Sequence, residues 1–231
     1  MPKSTGRPWR MLLPLFAVVA LAAAWSAYWF IAIAFAKETA AEERRKLAER
    51  GLILQCVQER WGGYPFRFEF HCASPVLTFK DRLQASSQNL QIVALAYNPW
   101  QLVALLDGPT TAIGRNLLPV SASHQRVMAS LTVGRDKPPS LSAEIPKLAI
   151  AGRMTVDRVM FHARPEPEGA TGVAASVTKL NYQPEGRPEL MMDQGDIVGT
   201  ITRDNTLNVD KIELAQGTVR YWGTGGCPAL C

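Results

Sequence analysis

Hydrophobic and polar positions change their rhythm twice along this chain. Met11 to Ala36 is a run of 26 residues without one charge. About 20 apolar residues cross the hydrocarbon core of a bilayer as a helix, so the run predicts a membrane-spanning segment with some tilt. From Lys37 to Arg50 the pattern becomes charged and helical, with Glu42 and Lys46 at i,i+4 in the favourable acid-first order. Gly51 suits the stop of that helix. From Leu52 onward the period drops to two. Phe66, Phe68, Phe70 and Cys72 share one face, while Arg67, Glu69 and His71 share the other. Leu52, Leu54 and Cys56 alternate alike, and Trp61-Gly62-Gly63-Tyr64-Pro65 between the runs is a turn signal. Residues 52–72 therefore predict a β-hairpin with its register centred on Tyr64.

Twelve further short runs predict strands: 76–80, 83–87, 90–96, 101–106, 126–133, 141–145, 147–151, 155–163, 172–180, 197–203, 209–215 and 218–222. Asn98-Pro99, Asp107-Gly108-Pro109, Lys137-Pro138-Pro139 and Asp204-Asn205 punctuate them, and residues 164–172 and 183–188 read as loops. No strand–helix–strand alternation suggests a parallel sheet. The expected fold is mainly β: a transmembrane helix and a helical stalk, then an antiparallel curved sheet, sandwich or open barrel. The expected layout is a cytoplasmic N-terminus at 1–10, an anchor at 11–36, a stalk at 37–51 and a periplasmic β-rich domain at 52–231.

Charge fixes orientation. The formal net charge is +5, but residues 1–37 hold Lys3, Arg7, Arg10 and Lys37 and no acid. Residues 38–231 keep 21 basic and 20 acidic residues, a balance of +1 that gives nucleic acid no handle. Three cations before the apolar run keep the N-terminus inside, which places the domain on the outer side of the inner membrane. Trp25, Tyr28, Trp29 and Phe30 cluster toward the far end of the run, as aromatics do at the interface. Ala22-Ala23-Ala24 and Ala34-Phe35-Ala36 resemble cleavage sites, but a signal h-region spans only about 7–15 residues, so an uncleaved signal-anchor is the preferred reading.

All four cysteines, Cys56, Cys72, Cys227 and Cys231, follow the anchor, where oxidation is permitted. The Tyr64-centred register sets Cys56 opposite Cys72 and predicts a bridge. Cys227 and Cys231 permit a local bridge, although four cysteines allow three connectivities. Chemistry is sparse. His71, His124 and His162 have no ligand spacing, and neither a nucleophile elbow nor a phosphate loop is present. Asp193 and Asp196 read as turn residues. No catalytic, metal or cofactor residue is assigned. Trp61, Tyr64, Phe66 and Trp100 are the candidate groove or contact residues.

Gly63-Tyr64-Pro65-Phe66-Arg67-Phe68-Glu69-Phe70-His71-Cys72, followed by Asn98-Pro99-Trp100, resembles the bacterial DUF2125 family, a domain of unknown function. The resemblance covers roughly 40–222 and implies a membrane segment, a helix and many strands, with no catalytic residues to carry over. The layout is also similar to AsmA-type envelope proteins, which implies lipid handling by analogy of fold alone. The resulting expectation is a non-catalytic envelope protein with a structural or lipid-contacting role and membrane lipid as partner. The alternatives are an interaction module for other envelope proteins and an envelope hydrolase.

Overall fold

A computed structural model describes residues 9–80, 82–115, 117–134, 139–166, 169–204 and 206–228. Among these residues it is mainly β, with a single helix followed by one large antiparallel sheet that does not close. The segments expected as anchor and stalk form one uninterrupted helix, α1 (Trp9–Glu49). It ends at Gly51, whose φ of +83° is the left-handed stop that glycine adopts without strain. The Glu42–Lys46 pair forms at 3.3 Å.

The strands follow in pairs that behave as single long strands broken once. β1 (Leu52–Gln55) leads into β2 (Gln58–Gly62), and β3 (Arg67–Ala73) into β4 (Val76–Phe79). β5 (Leu83–Ser86) leads into β6 (Asn89–Leu95), β7 (Asn98–Asp107) into β8 (Thr110–Gly114), and β9 (Leu117–Ser123) into β10 (Val127–Thr132). Six further strands follow: β11 (Ser140–Ile150), β12 (Met154–Pro165), β13 (Thr171–Tyr182), β14 (Leu190–Ile201), β15 (Thr206–Gln216) and β16 (Val219–Pro228). On one side of the break the order is β2-β3-β6-β7-β10-β11; on the other it is β1-β4-β5-β8-β9-β11. Taken together, the sheet is a meander of eleven long strands, each paired only with its chain neighbours.

The break runs across the sheet as a crease. Ser74, Lys147 and Lys179 lie on it with φ of 47°, 52° and 50°. A residue in that left-handed conformation interrupts the ladder and turns its strand, and the register is the same on both sides, so no extra residue is inserted. Polar contacts bind the crease: Ser87 Oγ donates to the Asp107 carbonyl at 2.6 Å, and Asn89 Nδ2 and Arg126 Nε donate to the Asp107 carboxylate at 3.3 and 2.7 Å.

The main cluster of buried residues is small and lies where α1 meets the first strands. Trp29, Ile33, Phe68 and Ala96 form it, with Trp25, Ala32 and Trp61 packed around them. Trp29 stacks on Phe68 at 5.9 Å between ring centroids, and Trp61 lies 5.0 Å from Phe70. The helix is also held by hydrogen bonds. Trp25 Nε1 donates to the Pro65 carbonyl, Trp29 Nε1 to the Arg67 carbonyl and Tyr28 Oη to the Ala96 carbonyl, each at 2.9 Å. Lower down, Arg44 pairs with Glu59 at 2.7 Å and lies over the Phe70 ring. Trp25, Tyr28 and Trp29 thus bind the sheet, where the sequence suggested only an interfacial belt.

Several expectations change. The hairpin is centred between Pro65 and Phe66, not on Tyr64: Glu59 faces Cys72 and Gln55 faces Val76. The cause is the turn, in which Arg67 N donates to the Gly63 carbonyl at 2.8 Å and Gly63 holds φ +99°. Cys56 still bridges Cys72, with Cα atoms 5.3 Å apart, because Cys56 sits in the break between β1 and β2 and leaves the ladder. Closing a loop of 16 residues is worth about 3 kcal/mol in the chain-entropy model. Two strands, β8 and β9, were not foreseen, and 141–145 and 147–151 are one strand. Asp193 and Asp196 lie within β14 and not in a turn, because the partner strands extend it back to Leu190. The local bridge that Cys227 and Cys231 permit falls outside the described residues.

Two outcomes follow from this packing. Trp29→Ala should lower the stability of the full chain in detergent by about 3–5 kcal/mol in chemical denaturation, whereas Trp29→Phe should cost about 1 kcal/mol. The Arg126 guanidinium beside Asp107 holds that carboxyl below the usual carboxylate range. A depressed folded pKa contributes stability that is complete above the unfolded value and is lost as pH falls through the folded one. Asp107→Asn should therefore be less stable than the parent at pH 7, by about 1 kcal/mol or less given the partial exposure of the pair, with the gap closing below pH ~4. A gap that widens on acidification would contradict this assignment.

Candidate functional site

Residues directly opposite one another on paired strands point to the same side of a sheet. Followed strand by strand, the register assembles one apolar face. Phe68, Phe70 and Cys72 on β3 face Ala94, Ile92 and Leu90 on β6, and these face Leu102, Ala104 and Leu106 on β7. The row continues through Val127, Ala129 and Leu131 on β10, and Leu141, Ala143 and Ile145 on β11. Val159, Phe161 and Ala163 on β12 and Val173, Ala175 and Val177 on β13 carry it on. It then crosses Gly195, Ile197 and Gly199 on β14 and Val209, Ile212 and Leu214 on β15, and ends at Tyr221, Gly223 and Gly225 on β16. No charged side chain interrupts it.

The opposite face is polar and tied by exposed pairs. Arg158 meets Glu144 at 3.0 Å, Lys211 meets Glu213 at 2.6 Å, and His162 Nδ1 lies 3.0 Å from Ser142 Oγ. The Lys211 ammonium holds the Glu213 carboxyl below its usual range. The alternation seen at Arg67–Cys72 thus extends across the sheet.

Cover over the apolar face is uneven. At β3 Phe68, Phe70 and Cys72 are buried, Phe68 against Trp29 and Phe70 beneath Arg44 of α1. Away from the helix the same face is open: Phe161 is 37% exposed, Ile197 45% and Tyr221 62%. The accessible surface of the chain is 16944 Å², against about 10,300 Å² for a compact globular protein of this mass. The excess is what a sheet with one largely uncovered side, plus a projecting helix, would present.

At the crease the site gains charge. Lys147, Asp157, Lys179 and Asp193 occupy the same level on β11, β12, β13 and β14. With Leu148, Val156, Leu180 and Met192 they line an open cavity of about 510 Å³. Lys147 Nζ donates to Asp157, and this ammonium holds the Asp157 carboxyl below its usual range, with Lys179 adding to the effect. Asp193 accepts a hydrogen bond from Gly217 N at 2.6 Å. The arrangement offers a zwitterionic row beside apolar walls. Apart from Asp193, read from sequence as a turn residue, no sequence signal marked these residues, because only the register brings them together.

The foreseen contact residues separate into two groups. Trp61 is half-buried under α1. Tyr64 and Phe66 lie at the β2–β3 turn, where Tyr64 Oη is 2.8 Å from Ser26 Oγ and its ring packs on Trp29 and Phe30. Phe66 lies 6.5 Å from Trp25. Trp100, near the start of β7, is exposed, and its carbonyl accepts from Val133 N. His71 lies 3.3 Å from Glu69 on the polar face of β3, not in a cleft. Among the described residues no three His, Cys, Asp or Glu side chains converge as a metal site.

Neither the curated proteins nor the solved structures give a match, so the likeness of layout to AsmA-type proteins gains no support. One family model does match, described as an uncharacterized protein conserved in bacteria (DUF2125). Its match runs over residues 29–223, from the tryptophan that docks the helix into the last strand, and the chain belongs to that family.

Proposed function

We propose that this protein is a single-pass membrane protein whose apolar sheet face holds lipid acyl chains. In this reading the N-terminus lies in the cytoplasm and the domain stands in the periplasm, on the outer side of the inner membrane. The observation that carries it is the uninterrupted apolar face, covered by α1 at one end and open from β12 to β16. A bare apolar surface of this extent marks an interaction site in a soluble domain. A flat, flexible acyl chain suits a trough without polar anchors, and the charged row at the crease would meet a headgroup. Support for the membrane comes from one helix long and apolar enough to cross, preceded by three cations. The reading assigns no chemical step to the domain.

A second reading has its own observation. Among the described residues β16 pairs only with β15, which leaves its outer edge open, and Trp222 on it is exposed. An extended segment of another envelope protein would add there as a further strand. Photocrosslinking from position 222 in cells would detect such a neighbour.

The lipid reading is tested by native mass spectrometry of the full chain extracted from membranes. The parent should carry bound lipid, and Ile197→Asp should lose most of it. Val198→Asp, comparably exposed but on the opposite face, should keep it. Equal retention in both variants, or a parent without lipid, would overturn the reading.

A further inference from the structure

We infer that the β2–β3 and β6–β7 turns, beside the N-terminal half of α1, are seated in the bilayer itself at the depth of the outer interface. The inference rests on the membrane reading above and goes beyond it by fixing where the domain meets the lipid.

Helix length gives the first argument. Leu12 to Ala24 is exposed on every side and stands clear of the sheet. Thirteen residues of helix reach only about 20 Å, whereas the hydrocarbon core is about 30 Å thick. Arg10 limits extension at the other end. Counting from Met11, about 20 residues are needed, which carries the far boundary to Phe30. By then the helix has already docked: Trp25, Ser26, Tyr28 and Trp29 all touch the two turns. The turns must share their depth.

Rim composition gives the second. Residues 62–66 and 95–100 contain no charge, and they expose Tyr64 by 54%, Phe66 by 62%, Tyr97 by 70% and Trp100 by 53%. Aromatic rings with a polar tip are the side chains favoured at a membrane interface. The turns at the other ends of these strands, β4–β5 and β8–β9, carry Lys80, Arg82 and Arg115. Farther from α1 the aromatic rim itself is charged as well, at Glu166, Arg203 and Asp204, so the uncharged aromatic stretch is confined to the two turns that touch the helix.

Backbone satisfaction gives the third. A turn carbonyl placed in hydrocarbon without a partner costs several kcal/mol. Here the carbonyls of Pro65, Arg67 and Ala96 each accept from a helix side chain, and Phe66 O accepts from Ala96 N at 2.8 Å. Four carbonyls of these turns are therefore satisfied without water.

Nitroxide labels on the full chain in nanodiscs of phosphatidylethanolamine and phosphatidylglycerol test this. Cys227→Ser and Cys231→Ser remove the two C-terminal cysteines while Cys56–Cys72 is kept. Labels are then attached to Leu21→Cys, Tyr97→Cys, Phe66→Cys and Leu190→Cys in turn, and relaxation by oxygen is compared with relaxation by a water-soluble nickel chelate. Tyr97 and Phe66 should lose nickel accessibility and follow oxygen, as Leu21 does, while Leu190 on the opposite rim should remain open to nickel. If Leu21 reports lipid but Tyr97 and Phe66 both report water, the seated rim is wrong and the anchor stands. If Leu21 itself reports water, the membrane reading falls and takes this inference with it.

Discussion

Everything in this molecule depends on how one apolar sheet face is kept from water. Eleven strands at about 4.8 Å spacing make a surface roughly 50 Å wide. A helix is about 10 Å across and covers two or three strands. The helix covers the strands around Phe68 and Phe70, and the core exists there and hardly elsewhere. The remaining face is shielded by neither a second sheet nor a second helix among the described residues. The uncovered surface, the thin core and the proposed lipid occupant are three aspects of the same shortage of cover.

The alternation of Phe68, Phe70 and Cys72 against Arg67, Glu69 and His71 was legible, because it needs only the period of a strand. So was the long helix, and so were most strands. The pairing of Cys56 with Cys72 was reached through a register that the turn does not adopt. The bridge forms because the crease frees Cys56 from its ladder, a fact that no local pattern contains. β8 and β9 were hidden because Thr110–Gly114 and Leu117–Ser123 have weak alternation, and Pro119 reads as a breaker. Lys147, Asp157, Lys179 and Asp193 are far apart in sequence, and only strand register aligns them.

The tryptophans show why one residue type is hard to place from sequence. Trp25 and Trp29 fit an interfacial belt by composition and position. Their indole N–H groups instead find the carbonyls of Pro65 and Arg67, and the Trp29 ring stacks on Phe68. An aromatic ring with a donor suits both settings, and the choice is made by what the opposing surface offers. Here the surface offers orphan carbonyls at a turn.

The meander has a consequence for how the chain is assembled. Each long strand hydrogen-bonds only with the one made before it and the one made after it. Pairings this local keep the loop-closure entropy of each step low and favour rapid folding. The helix is made first and offers Trp25 and Trp29 as a template on which β2 and β3 can settle. Every later strand then meets a finished edge, so order can spread along the chain in the direction of synthesis without waiting for the C-terminus.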